Sequence, residues 1–115
     1  MKLIKVISLT LLALNFCSVY AAEGRLANIS TIMMDKDLGD KVFIDINTKE
    51  VSSAACHKNS RWDFIFTLEN NQVSKAMLSF LVKAQATNEK LIFVGTGSCN
   101  VFNELETLKR IELVN

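Results

Sequence analysis

Proline is absent from this 115-residue chain, glycine occurs four times and histidine only once. With no proline-rich or otherwise low-complexity tract and no block of like charge, nothing marks an internal linker, and the length suits one small domain. Half the residues are apolar and 22% are charged, a balance that excludes intrinsic disorder. A single histidine leaves little for a histidine-based metal centre. No apolar run is long enough for a comfortable transmembrane span, the longest being residues 6–16.

That run has a purpose of its own. Lys2 and Lys5 precede it, and Val19-Tyr20-Ala21 follows it with a pattern a signal peptidase reads. Residues 1–21 are therefore expected to be a signal peptide that is removed, leaving residues 22–115 as a single exported domain, periplasmic or secreted. A lipoprotein is excluded because bulky Phe16 stands before Cys17 where a small residue is needed. Loss of the leader takes Lys2 and Lys5 with it, so 11 basic residues face 12 acidic ones. No basic field then remains for nucleic acid or for a membrane surface.

Cleavage also removes Tyr20 and Cys17, leaving Cys56 and Cys99. Two cysteines in a small exported chain are expected to form one disulfide. Closing a loop of that span removes unfolded-state entropy worth about 4 kcal/mol in the chain-entropy model.

Hydrophobic periodicity divides the rest. Residues 29–35 read as a strand, and Asp37-Leu38-Gly39-Asp40 as a turn in which Gly39 takes a positive φ. In residues 41–47, Val42, Ile44 and Ile46 alternate with polar neighbours, while Phe43 breaks the pattern and implies that the second face is partly covered. After a polar loop, Trp62, Phe64, Phe66 and Leu68 fall on one face of a third strand over residues 61–68. The period then changes: Val73, Ala76, Met77, Phe80, Leu81 and Ala84 make the apolar stripe of a helix capped by Asn70 or Asn71 and ending near Thr87 and Asn88. Strands at 91–94 and 105–114 complete the chain. The fold class is mainly β with one helix, in the order β-β-β-α-β-β, and this connectivity is that of a five-stranded OB-like barrel. An open α+β sheet with the helix on one face is the alternative.

Motifs that suggest chemistry are incomplete. Gly95-Thr96-Gly97-Ser98-Cys99 has Asn100 where a dinucleotide fingerprint or a nucleophile elbow needs glycine, and lacks the lysine of a P-loop. Its bland reading is a turn at Gly95 and Gly97 that lets Cys99 reach Cys56. Cys56 and His57 are adjacent, but neighbours on an extended chain point apart, which argues against a thiolate–imidazole pair; His57 is expected to be a solvated loop residue. Asp35, Asp37 and Gly39 begin a calcium-loop pattern that the rest of the chain does not continue. No metal and no cofactor are expected. Trp62 and His57 are the candidates for a binding surface, although the alternation of Trp62 with Phe64 and Phe66 is also what a core demands.

One set of residues resembles a known group. Gly24 and Ile29, Val42-Phe43-Ile44, Ala55-Cys56, Phe64-x-Phe66, Met77 with Leu81 and Ala84, the Gly95–Cys99 segment, Glu106 and Ile111 resemble small exported bacterial proteins of mostly unknown function. In topology and paired cysteines these are similar to the OB-fold B subunits of AB5-type toxins, the subtilase-cytotoxin and pertussis-like group. The resemblance implies a disulfide-stapled OB-like barrel without a catalytic centre. The expected function is a non-enzymatic binding domain for a protein or glycan, the alternative a periplasmic inhibitor or immunity-type protein. The helix's outer polar face leaves a homo-oligomer open.

Overall fold

The computed structural model describes residues 24–49, 52 and 54–115. The leader expected at residues 1–21 lies outside the described residues. Strand β1 covers Arg25–Ala27 and β2 Ile29–Met34, separated by Asn28 alone; β3 covers Lys41–Ile46 and β4 Phe64–Thr67. Helix α1 spans Gln72–Thr87, and β5 (Leu91–Gly95) and β6 (Leu108–Leu113) complete the order. The chain is thus mainly β with one helix, as expected. The strands form two three-stranded sheets, β1-β5-β6 and β2-β3-β4, all antiparallel and neither closed into a barrel by itself. A further link joins the sheets, where Ile65 forms an isolated parallel bridge with Thr107.

The turn before β3 is a short 3-10 segment, Lys36–Leu38, started by Asp35, whose side chain accepts the Asp37 N–H. Gly39 ends it at φ 77°, the conformation expected of it. Val42, Ile44 and Ile46 of β3 then face Phe64 and Phe66 of β4 and Phe93 of β5 in one buried cluster. Phe64 and Phe93, from different sheets, stack at 6.0 Å. Phe43 points the other way and is equally buried. It forms a second cluster with Ile65 and Leu105, flanked by Met33, Trp62, Val101 and Phe102. The covered second face inferred from Phe43 is therefore real, and the segment after Cys99 covers it.

Three elements differ from the sequence expectation. Trp62 does not share the face of Phe64, because the Asn59 side chain accepts the N–H groups of both Arg61 and Trp62 and turns the chain there. The strand begins only at Phe64. Likewise the last strand starts at Leu108, since Leu105 belongs to the second cluster and Glu106 is buried. At the amino end, β1 is too short for alternation to reveal it.

The helix is bounded as expected. The Asn71 side chain accepts the Ser74 N–H, and Asn88 takes a left-handed conformation at φ 54°. Its rotation differs. Leu81 and Ala84 face the core with Met77 and Leu78, while Val73 is 71% and Phe80 40% exposed. Ser74 sits in the buried stripe because its hydroxyl is satisfied there, accepting the Glu69 N–H and donating to the Thr67 carbonyl. A hydrogen-bonded serine, invisible to hydrophobic periodicity, sets which side faces inward.

Leu81→Ala should therefore cost about 2–5 kcal/mol of unfolding free energy, whereas Phe80→Ala should stay within about 1 kcal/mol. Urea titration of both variants separates this rotation from the one periodicity suggests.

Candidate functional site

Gly95 and Gly97 carry different constraints. A Cβ on Gly95 would stand 2.0 Å from Glu106 Oε2, so only glycine lets the strand and that side chain lie together. Gly97 has open space around it but φ 78°, a backbone conformation that L-residues rarely adopt. Its N–H is aimed at Glu106 Oε2 at 3.1 Å. Glu106 itself is 1% exposed, and its Oε1 accepts the Ser52 hydroxyl at 2.6 Å. The segment is a turn, as expected, but one shaped around a buried carboxyl group. Ser98 takes part in that turn, its hydroxyl 2.8 Å from Thr96 Oγ1.

The turn delivers Cys99 to Cys56, and the two form a disulfide with Cα atoms 6.1 Å apart. Their separation of 43 residues makes the unfolded-state term about 4 kcal/mol. Both sulfurs are consumed, so a thiolate at Cys56 is excluded in this state. Beside the bridge the loops are stitched by backbone contacts. The N–H groups of Lys58 and Asn59 both donate to the Glu104 carbonyl, and Glu104 takes a left-handed φ of 61°.

His57 is half-buried rather than solvated. Its Nδ1 accepts the Glu106 N–H at 3.0 Å, which places the proton of the neutral ring on Nε2. Backbone geometry explains the difference: the loop carrying Cys56 is folded back on the Cys99 segment, so the next side chain meets Glu106.

A second polar group lies across the neighbouring strand ends. Asp45 and Asp63 are each 7% exposed. Asp63 Oδ2 accepts the Ile46 N–H at 2.8 Å and the Lys49 ammonium at 2.9 Å, with Arg25 3.9 Å from Oδ1. Asp45 bonds Lys49 and receives Arg61 at 2.6 Å. Burial pushes the Asp45 carboxyl up, but hydrogen bonds from Lys49 and Arg61 and the Lys49 charge outweigh it. The net position is below the ordinary 3.8. Burial likewise pushes Lys49 down, and its bonds to Asp45 and Asp63 carry it above the ordinary 10.5. The arginines are also held by rings: Arg25 lies 4.6 Å over Phe64 and Arg61 4.4 Å over Trp62.

Between these groups runs an open cleft lined by Lys49, Ser52, His57, Lys58, Asn59, Ser60 and Asp63. His57, a sequence candidate, is thus at the cleft. Trp62, the other, is half-buried in the second apolar cluster, 5.7 Å from Phe43 between ring centres, and does not line it. Lys49, Lys58, Ser60 and Asp63 escaped sequence reasoning, because a long polar loop carries no period and only the folded sheet brings Asp63 beside Asp45. Among the described residues, no group of three or more histidine, cysteine or acidic residues could hold a metal ion. Comparison with protein-family models, with curated proteins and with solved structures returned no match.

Gly95→Ala should lower stability by about 3 kcal/mol, the upper range for overpacking, since the atom it meets is a fixed carboxyl group; thermal denaturation measures it. A carboxyl group held low in the folded state contributes stability above its ordinary value and loses it as pH falls through the folded value. Unfolding free energy should thus drop below about pH 4, and the drop should be smaller in Asp45→Asn. An unchanged acid limb in that variant would refute the contribution of Asp45.

Proposed function

We propose that this protein is an exported, non-enzymatic binding domain that recognises a protein or a glycan through the cleft between His57 and Asp63. The observation that carries the reading is the state of the reactive groups around that cleft. Cys56 and Cys99 are joined, His57 Nδ1 is engaged by a backbone N–H, and Asp45 and Asp63 are held by three cations. What the cleft offers is a set of hydroxyl, amide, ammonium and imidazole N–H groups, chemistry suited to hydroxyl-rich or peptide ligands. The disulfide agrees with export, and among the described residues no helix is long and apolar enough to cross a membrane.

We further read the two sheets as the halves of an OB-like barrel. Two features support this: β1 and β2 are nearly one strand, bent at Asn28 and shared between the sheets, and Ile65 links β4 to the segment leading into β6. In OB-folds the strand 2–3 face and its neighbouring loops bind ligands. Here the corresponding Phe43 and Ile65 are covered by Val101, Phe102 and Leu105, so recognition moves to the loop cleft beside them.

Glycan-array binding and affinity capture with the purified protein test the reading. Lys58→Ala and Ser60→Ala should weaken binding by about tenfold without shifting the melting temperature, because both residues are exposed. A tight one-to-one complex with a co-secreted enzyme would favour an inhibitor instead. Substrate turnover abolished by His57→Ala or Ser98→Ala would overturn the non-enzymatic reading.

A further inference from the structure

Strand β6 is the last strand of its sheet. Among the described residues β5 pairs with Leu108 and then with Arg110 to Leu113, a register shift at Val94 and Gly95 leaving Lys109 as a bulge, and β4 approaches β6 only beside the bridge at Thr107. An outer strand of six residues presents backbone donors and acceptors that another strand can pair. From its sequence, Leu108-Lys109-Arg110-Ile111-Glu112-Leu113, we infer that this edge pairs with the same edge of a second copy, giving a two-fold dimer with the sheet order β1-β5-β6-β6-β5-β1.

The register follows from symmetry. In an antiparallel pair, residues directly opposite point to the same face of the sheet. A two-fold axis perpendicular to the sheet keeps each face on its own side, so opposite residues must be an even number apart in sequence. Within the regular run the axis then passes midway between one residue and its own copy. Centred on Arg110 or Glu112, the pairing would set like charges against each other. Centred on Ile111 it sets Arg110 against Glu112 of the other copy, and by symmetry does so twice. Both side chains are about half exposed and share the outer face, where they lie opposite Val94 and Ile92 and sit 3.8 Å apart within one chain. The register is confined to the regular run of Arg110 to Leu113, because the bulge at Lys109 interrupts the alternation beyond it. The other outer edges suit this less well: β1 has three residues, β4 is engaged at Ile65, and α1 packs on β2.

Charges on an edge strand can instead serve to keep other strands away, and the test separates the two. It does not depend on what the cleft recognises. Sedimentation equilibrium of the purified protein over a concentration series should show a monomer–dimer equilibrium. Arg110→Glu and Glu112→Arg, each placing like charges opposite one another twice, should weaken dimerisation by about tenfold or more. The double swap R110E/E112R should restore it. Circular dichroism checks that each variant is folded, as substitutions at half-exposed positions allow. A wild-type monomer throughout, a dimer indifferent to either single change, a double swap that stays monomeric, or a larger ring would each overturn the proposal.

Discussion

A carboxyl group taken out of water must find hydrogen-bond partners inside the protein or destabilise it by several kcal/mol. Glu106 is nearly fully buried, and much of the molecule is arranged around it. Its two oxygens reach Gly97 on the segment after β5 and Ser52 on the long loop before β4. Its N–H reaches His57 and its carbonyl receives the Ile65 N–H. One residue thus touches two loops and a strand of the opposite sheet, and Gly95 exists as glycine to make room for it. The disulfide at Cys56 and Cys99 joins the same two loops. Covalent bridge and buried carboxyl group act on one junction, the first by limiting the unfolded chain, the second by specifying the folded one.

Around that junction the polar residues are partners to each other before they are partners to anything else. Asp45 and Asp63 lie on β3 and just before β4, where the sheet would otherwise leave charged groups half out of water. Lys49 and Arg61 reach back over them from the connecting loop. The loop between those strands is therefore anchored near both ends by ion pairs and in its middle by the disulfide. Around Cys56 the described part of the loop is tied by the disulfide and by the Lys58 and Asn59 N–H bonds to Glu104, and such ties lower the entropic cost of meeting a ligand.

How much of this was legible depended on what kind of force was at work. Val42, Ile44 and Ile46 were readable because burial alone decides them, and Asn71 and Asn88 because caps are local. Phe43 gave away a second covered face by interrupting an alternation. Trp62 misled, since an Asn59 side chain rather than hydrophobicity sets its direction. Ser74 misled in the same way, by being polar and still buried. Glu106 reads in the sequence as one scattered carboxylate beside the last strand and as part of a resemblance, with nothing to mark it as buried. Its burial depends on Ser52 and His57, which are about fifty positions away in the chain, and no local pattern records such a meeting. The glycines showed that the chain turned there but not what it turned around.

The placement of β1 has a consequence for the order in which the molecule can form. Arg25, Leu26 and Ala27 pair with Phe93, Ile92 and Leu91, so the first strand waits for the fifth, and the fifth borders the last. Pairings between such distant residues form late, because the loop between them must close before any contact rewards it. During synthesis, β2, β3 and β4 can associate as a meander while β1 has nothing to hold. The sheet containing β1 cannot assemble until β5 and β6, as far as Leu113, have been made, and the Cys56–Cys99 bond cannot lock before Cys99 arrives. One sheet can thus take shape while the strand that precedes it is still without a partner.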